Sequence, residues 1–182
     1  MFESCARILK KCLVGVLILA ASGSFLPAQA PKLPDVDLVD QDGHKVRFYT
    51  DLVRGRTVAI DFVFANCQTI CPILGANFAK VNRMLGSDSS RFLLISLSVD
   101  PLNDTPASLH AYAARFGSGP SWRLLTGEKR NVDELLRALG EYTADKTAHS
   151  SDVLIGNGRS PWIHGKGMGS PADIVALMRN VR

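Results

Sequence analysis

The chain has 182 residues, is 46% hydrophobic and carries a formal net charge of +4. That length suits one α/β domain with an appendage, and a core of that size stands without staples. Arg7, Lys10 and Lys11 against Glu3 leave only +2 for the residues beyond 30; with no basic stripe interleaved with aromatics, nucleic acid is excluded as a partner.

Residues 1–30 read as a signal peptide or an N-terminal membrane anchor. A basic start leads into the apolar run Leu13–Ala21, then small residues and Ala28-Gln-Ala30. The run is shorter than the roughly 20 residues of a spanning helix, and extended through Gly23 to Leu26 it becomes a marginal anchor. Pro31 disfavours cleavage directly after Ala30, and Leu9-Lys10-Lys11 before Cys12 lacks the small residues of a lipidation box. Either fate places the folded part in the periplasm or another extracytoplasmic space, soluble after cleavage or held at the membrane by its N-terminus.

Residues 31–34 form an extended linker, and 35–182 form the domain. Val36 and Leu38 before Asp42-Gly43, with Val46 and Phe48 after it, predict a β-hairpin. The apolar run 56–64 predicts a central buried strand. Pro72 opens a helix to about Leu85, with Leu74, Phe78, Val81 and Leu85 on one face. Residues 92–99 form a second buried strand. Thr105-Pro106 starts a helix lined by Leu109, Tyr112, Ala113 and Phe116, ended by Gly117 and Gly119. A short strand spans 122–125. Asn131, with Glu134 three residues on, is expected to cap a third helix that buries Val132, Leu135, Leu136 and Leu139. Strands 153–155 and 162–164 flank Gly156-Asn157-Gly158 as a second hairpin, and Ser170-Pro171 begins the last helix. This order predicts an α/β thioredoxin-like fold: a central mixed sheet, flanking helices and an N-terminal β-hairpin. Open α/β sheets hold their sites at strand carboxyl ends, and the first βα loop there contains Cys67 and Cys71.

Four cysteines occur, of which Cys5 and Cys12 belong to the leader. The remaining pair closes almost no loop, so as a disulfide it adds little stability. Cys71 sits beside the helix start fixed by Pro72, where the dipole favours a thiolate. Thioredoxin-type couples keep two residues between their cysteines; here there are three. The looser loop lets both sulfurs face one ion, and a disulfide between them stays within reach. A third ligand is then sought among His44, His110, His149 and His164, with Met84 and Met168 behind them. His44 lies in a turn and His110 on a solvated helix face. His149 lies in a polar loop that can fold back over the first βα loop, and His164 in the next strand is second choice.

Three segments together resemble the Sco/SenC family: "FVFANCQTICP" around Cys67 and Cys71, "SLSVDPLNDTPASLHAYAARFG" over Ser98–Gly117, and "AHSSDVLIGNG" at His149. The likeness covers residues 35–182. It implies a copper ion, Cu(I) or Cu(II), held by Cys67, Cys71 and His149, and delivery of copper to the dinuclear copper centre of cytochrome c oxidase. The implied partners are the copper-receiving subunit of a respiratory oxidase and a thiol reductant or copper donor protein. Two thiolates and an imidazole suit Cu(I); zinc would lack a fourth protein ligand. Asp100 and Asp104 resemble an acidic pair near the family's site, in a supporting or docking role, with a plain turn and helix start as the alternative. Ala65, Gln68 and Ala148 depart from common family residues and bear on affinity and redox poise. Asp61, inside an apolar strand, is expected either at a solvated edge or as a partner behind the site.

Two functions compete. One is a copper metallochaperone. The other is a thiol–disulfide oxidoreductase in which Cys67 and Cys71 are catalytic. A thiol peroxidase fits less well, because Phe64 stands where peroxiredoxins place Thr.

Overall fold

The computed structural model describes residues 33–86 and 90–182. The signal or anchor segment 1–30 and the first half of the 31–34 linker lie outside the described residues. From Leu33 the chain forms β1 (Asp37–Asp40), β2 (Lys45–Arg47), a wide helical turn over Phe48–Val53, and β3 (Thr57–Val63). α1 (Cys71–Leu85), β4 (Phe92–Ser98), α2 (Pro106–Ala114), β5 (Trp122–Thr126) and α3 (Lys129–Leu139) follow. A short turn of 3-10 helix at Lys146–Ala148 leads to β6 (Asp152–Gly156), β7 (Ile163–Lys166) and α4 (Pro171–Asn180).

The strands form one sheet in the order β2-β1-β5-β4-β3-β6-β7. β3, β4 and β5 run parallel, while β6 pairs antiparallel with β3 and β1 with β5. This is the expected mixed sheet with its N-terminal hairpin. The hairpin register pairs Leu38 with Val46. Its turn uses Gly43 at φ 85, a left-handed conformation that costs glycine no Cβ clash.

Period-2 alternation splits the strands between two cores. Val58, Ile60, Phe62, Leu93, Ile95 and Leu97 face Val132, Leu135, Leu136 and Leu139 of α3. Ala59, Val63 and Leu94 face the opposite layer, with Phe78 of α1, Tyr112 of α2 and Met178 of α4. With both faces covered, β3 and β4 read as nearly unbroken apolar runs.

Two expected boundaries shift. α3 begins at Lys129, ahead of Asn131, so Asn131 is not its cap; its amide instead donates to Asp37 O at 2.9 Å and ties α3 to β1. The long-range bond to the hairpin outcompetes the local cap. The second strand of the last hairpin is Ile163–Lys166; Trp162 precedes it, with its ring against Gly156, 2.7 Å from where a Cβ would sit. α2 matches its reading: Thr105 and Ser108 form a reciprocal capping box.

Asp61 corrects the solvated-edge reading. It occupies the middle of β3, is 0% exposed, and neither carboxylate oxygen has a hydrogen bond of regular geometry. Alternation points it into the α1–α2–α4 layer, alongside Ala59 and Val63. Burial pushes its pKa up to about 7, with the Ser96 hydroxyl on β4 moderating the rise.

Candidate metal centre

The carboxyl end of β3 leads into the loop 64–70, where Cys67 N–H donates to Phe64 O at 3.1 Å and tightens the turn. α1 starts without a side-chain cap, and Pro72 contributes no N–H. The Cys67 sulfur fills that role, accepting from Cys71 N–H at 3.4 Å. The helix start therefore serves Cys67, which corrects the expectation that it activates Cys71. Burial raises the Cys67 pKa, but hydrogen bonds from the Cys71 thiol and N–H and from Thr69 outweigh it and bring the thiol down to about 7. Cys71 is pushed up to about 12, first by burial and then by the Cys67 sulfur that it donates to. Both cysteines are buried and not joined by a disulfide.

The polar loop after α3 folds back over this start, as its sequence allows. His149 Nε2 lies 3.9 Å from Cys71 Sγ, across 78 residues of chain. His149 Nδ1 is 2.9 Å from Ser150 O. A carbonyl only accepts, so Nδ1 carries a proton, which in the neutral imidazole leaves Nε2 as the lone-pair nitrogen facing the sulfur. The Phe64 ring meets the imidazole edge-on at 5.8 Å between centroids.

Cys71 is thus the common neighbour of Cys67 and His149. Among the described residues, the only group of His, Cys, Asp or Glu whose ligand atoms all lie within 4.8 Å of one another is elsewhere, at Asp40, Asp42 and His44 of the first hairpin. There Asp40 accepts the Asp42 and His44 N–H groups, and Arg123 reaches both carboxylates, so turn stabilisation accounts for it. His110 pairs with Asp42 at 3.2 Å and His164 with Asp152 at 3.8 Å. Met84 and Met168 are exposed.

Asp100 and Asp104 brace the two loops from the β4–α2 connection. Asp104 is buried and accepts Ala65 N–H at 3.0 Å and the Ser98 hydroxyl at 2.6 Å, fixing the start of the cysteine loop. Burial raises its pKa above the usual carboxylate range. Asp100 pairs with Lys146, just ahead of His149, and the Lys146 ammonium sits 5.3 Å from the Phe64 ring centre. Tyr112 donates its hydroxyl to Cys71 O at 2.6 Å. The sequence marked Tyr112 only as a core residue and did not mark Lys146; a tyrosine facing a site end and a lysine near the histidine were the available signals.

The sequence model of the family described as SCO1/SenC matches residues 27–162. A SCO1 protein homolog of Bacillus subtilis is 37% identical over 96 residues, covering 52% of this chain and 49% of the relative. The chain spans about half the length of the curated relatives it matches. A SCO1/SenC family lipoprotein of Bacillus anthracis superposes with a TM-score of 0.72 at 26% identity, over 84% of this chain and 95% of that one. Bradyrhizobium japonicum ScoI, solved with copper bound, superposes with a TM-score of 0.67 at 22% identity, over 80% and 96%, and shares the fold.

Proposed function

The chain belongs to the SCO1/SenC family, and from that premise we propose that it is an extracytoplasmic copper carrier whose ligands are Cys67, Cys71 and His149. The observation that carries the reading is the Cys71–His149 approach, with the Nε2 lone pair turned to the sulfur. Two thiolates and a neutral imidazole form a soft donor set that favours Cu(I) over harder ions. Copper bound to the related Bradyrhizobium protein supports the cargo. Binding Cu(I) requires loss of the Cys71 proton, which burial holds tightly, so copper uptake releases protons and strengthens as pH rises.

Delivery proceeds by ligand exchange at constant oxidation state. The thiolates of the acceptor, the dinuclear copper site of a respiratory oxidase, replace Cys67 and Cys71 one at a time. The basic and apolar N-terminus puts the domain outside the cytoplasm, released or anchored.

A second reading rests on the inequality of the two thiols. Cys67, at about 7, is the nucleophile of a dithiol couple, and Cys71 is the buried resolving thiol. The Cys67 thiolate attacks a partner disulfide and releases one partner thiolate. Cys71 then attacks the mixed disulfide, leaving Cys67–Cys71 oxidised and the partner fully reduced; an external thiol reductant restores the pair.

One experiment separates the readings. Cu(I)-loaded protein is incubated with a reduced apo dithiol acceptor, and Cys71→Ser is incubated with the oxidised acceptor. Copper moving to the acceptor without a covalent complex supports the carrier. A trapped mixed disulfide, with no copper transfer, overturns it in favour of the oxidoreductase.

A further inference from the structure

The end of the sheet opposite the thiols gathers arginines. Arg54 and Arg56 precede β3, Arg91 precedes β4, Arg159 follows β6 and Arg179 lies in the last turn of α4. A concave pocket of about 270 Å³ opens among Arg56, Arg91, Arg159 and Arg179, and among the described residues no acidic side chain lines it. Of the arginines elsewhere, Arg47, Arg123, Arg130 and Arg137 each face a carboxylate. Arg159 and Arg179 are exposed and form no ion pair among the described residues. Arg56 is held in place by the Asp51 and Leu52 carbonyls, at 2.6 and 3.3 Å, which leaves its charge uncancelled.

The chain also enters the fold at this end. Leu33 is buried, and a Cβ on Gly158, next to Arg159, would lie 3.3 Å from Leu33 Cδ1. The segment before Leu33, basic and then apolar, therefore joins the domain beside the arginine pocket. The thiols sit at the far end of the seven-residue strand β3, roughly 20 Å away at about 3.3 Å per residue.

We propose that this arginine-lined end is a docking surface for anionic phospholipid headgroups, which seats the domain on the membrane with the thiol site turned away from it. Guanidinium forks match phosphate oxygens bidentately. Attraction to an anionic leaflet acts only within a Debye length, about 10 Å at 0.1 M salt, so the charges must cluster on the face that touches. The segment before Leu33 enters at that face. The orientation turns the thiol end toward a partner above the membrane, and it does not depend on which metal the site takes.

The test is flotation of the full-length protein with vesicles of phosphatidylcholine alone and of phosphatidylcholine with phosphatidylglycerol, in about 0.1 M salt. The quantity read is the ratio of the two partition coefficients. The N-terminal segment is common to all variants and cancels in the comparison. R159Q/R179Q is set beside R130Q/K166Q, which removes two charges from exposed positions at the thiol end, at the start of α3 and the end of β7. At about fivefold per arginine, R159Q/R179Q lowers the ratio about 25-fold, and R130Q/K166Q changes it little. Equal effects of the two double variants, or no effect of either, overturn the proposal. Displacement by millimolar inorganic phosphate, beyond that of chloride at matched ionic strength, overturns it in favour of a soluble-phosphate site.

Discussion

Replacing Asp61 with asparagine should change how stability depends on pH more than it changes the fold. The carboxyl is fully buried in β3, with no regular hydrogen bond to either oxygen, and burial pushes its pKa from 3.8 to about 7. In the unfolded chain it ionises near pH 4; in the folded protein it keeps its proton to about pH 7. Between those values the folded state binds a proton that the unfolded state has released, so stability falls as pH rises. The contribution is fully present below about pH 4 and is lost by the time pH passes 7. Roughly three pKa units at 1.36 kcal/mol each give a loss of about 4 kcal/mol across that window. Asparagine keeps the shape and does not titrate. Urea unfolding of reduced wild type and Asp61→Asn, followed by circular dichroism from pH 4 to pH 8, measures the difference directly. The variant should gain about 4 kcal/mol relative to wild type over this range, and the cysteine contributions common to both proteins largely cancel. Parallel stability curves, differing by a constant, would refute the claim that burial raises the Asp61 pKa.

Other consequences concern the site itself. Alkylation of the reduced protein should show one thiol, Cys67, reacting with a midpoint near pH 7, while Cys71 stays inert until far higher pH; mass mapping of the labelled cysteine checks the order. Cys71→Ala, which removes the thiol donor to Cys67, should move that midpoint upward. Lys146→Met should weaken Cu(I) affinity severalfold, less than His149→Ala, and raise amide exchange over residues 146–150; Lys146→Arg should restore both. Gly75→Ala places a Cβ 2.6 Å from Phe116 and 2.8 Å from the Tyr112 hydroxyl, so it should destabilise by about 1–3 kcal/mol, read as a lower urea midpoint.

Local patterns carried most of the fold. Apolar runs identified β3 and β4, Pro72 identified the start of α1, and Thr105-Pro106 identified α2, because each element's signal lies within its own residues. Asn131 misled because its side chain serves β1, and a local capping pattern does not contain that partner. The assignment of the reactive thiol also failed on geometry: Cys71 occupies the helix start, yet its N–H points at Cys67, and only the loop's path decides which sulfur receives it. Asp61 stood out in an apolar strand, but its burial follows from β3 being central and from the α1–α2–α4 layer covering that face, a tertiary fact. Lys146 and Asp100 are separated by 46 residues, so their pairing was invisible until the His149 loop folded back.

A competition titration shows whether Cys67, Cys71 and His149 hold one copper ion together. Reduced protein is titrated anaerobically with Cu(I) against a chromophoric chelator, wild type beside Cys67→Ser and His149→Ala. A three-ligand site takes up one Cu(I) per wild-type chain, none on Cys67→Ser, and binds clearly more weakly in His149→Ala. Stoichiometric Cu(I) on Cys67→Ser, or His149→Ala indistinguishable from wild type, would contradict it.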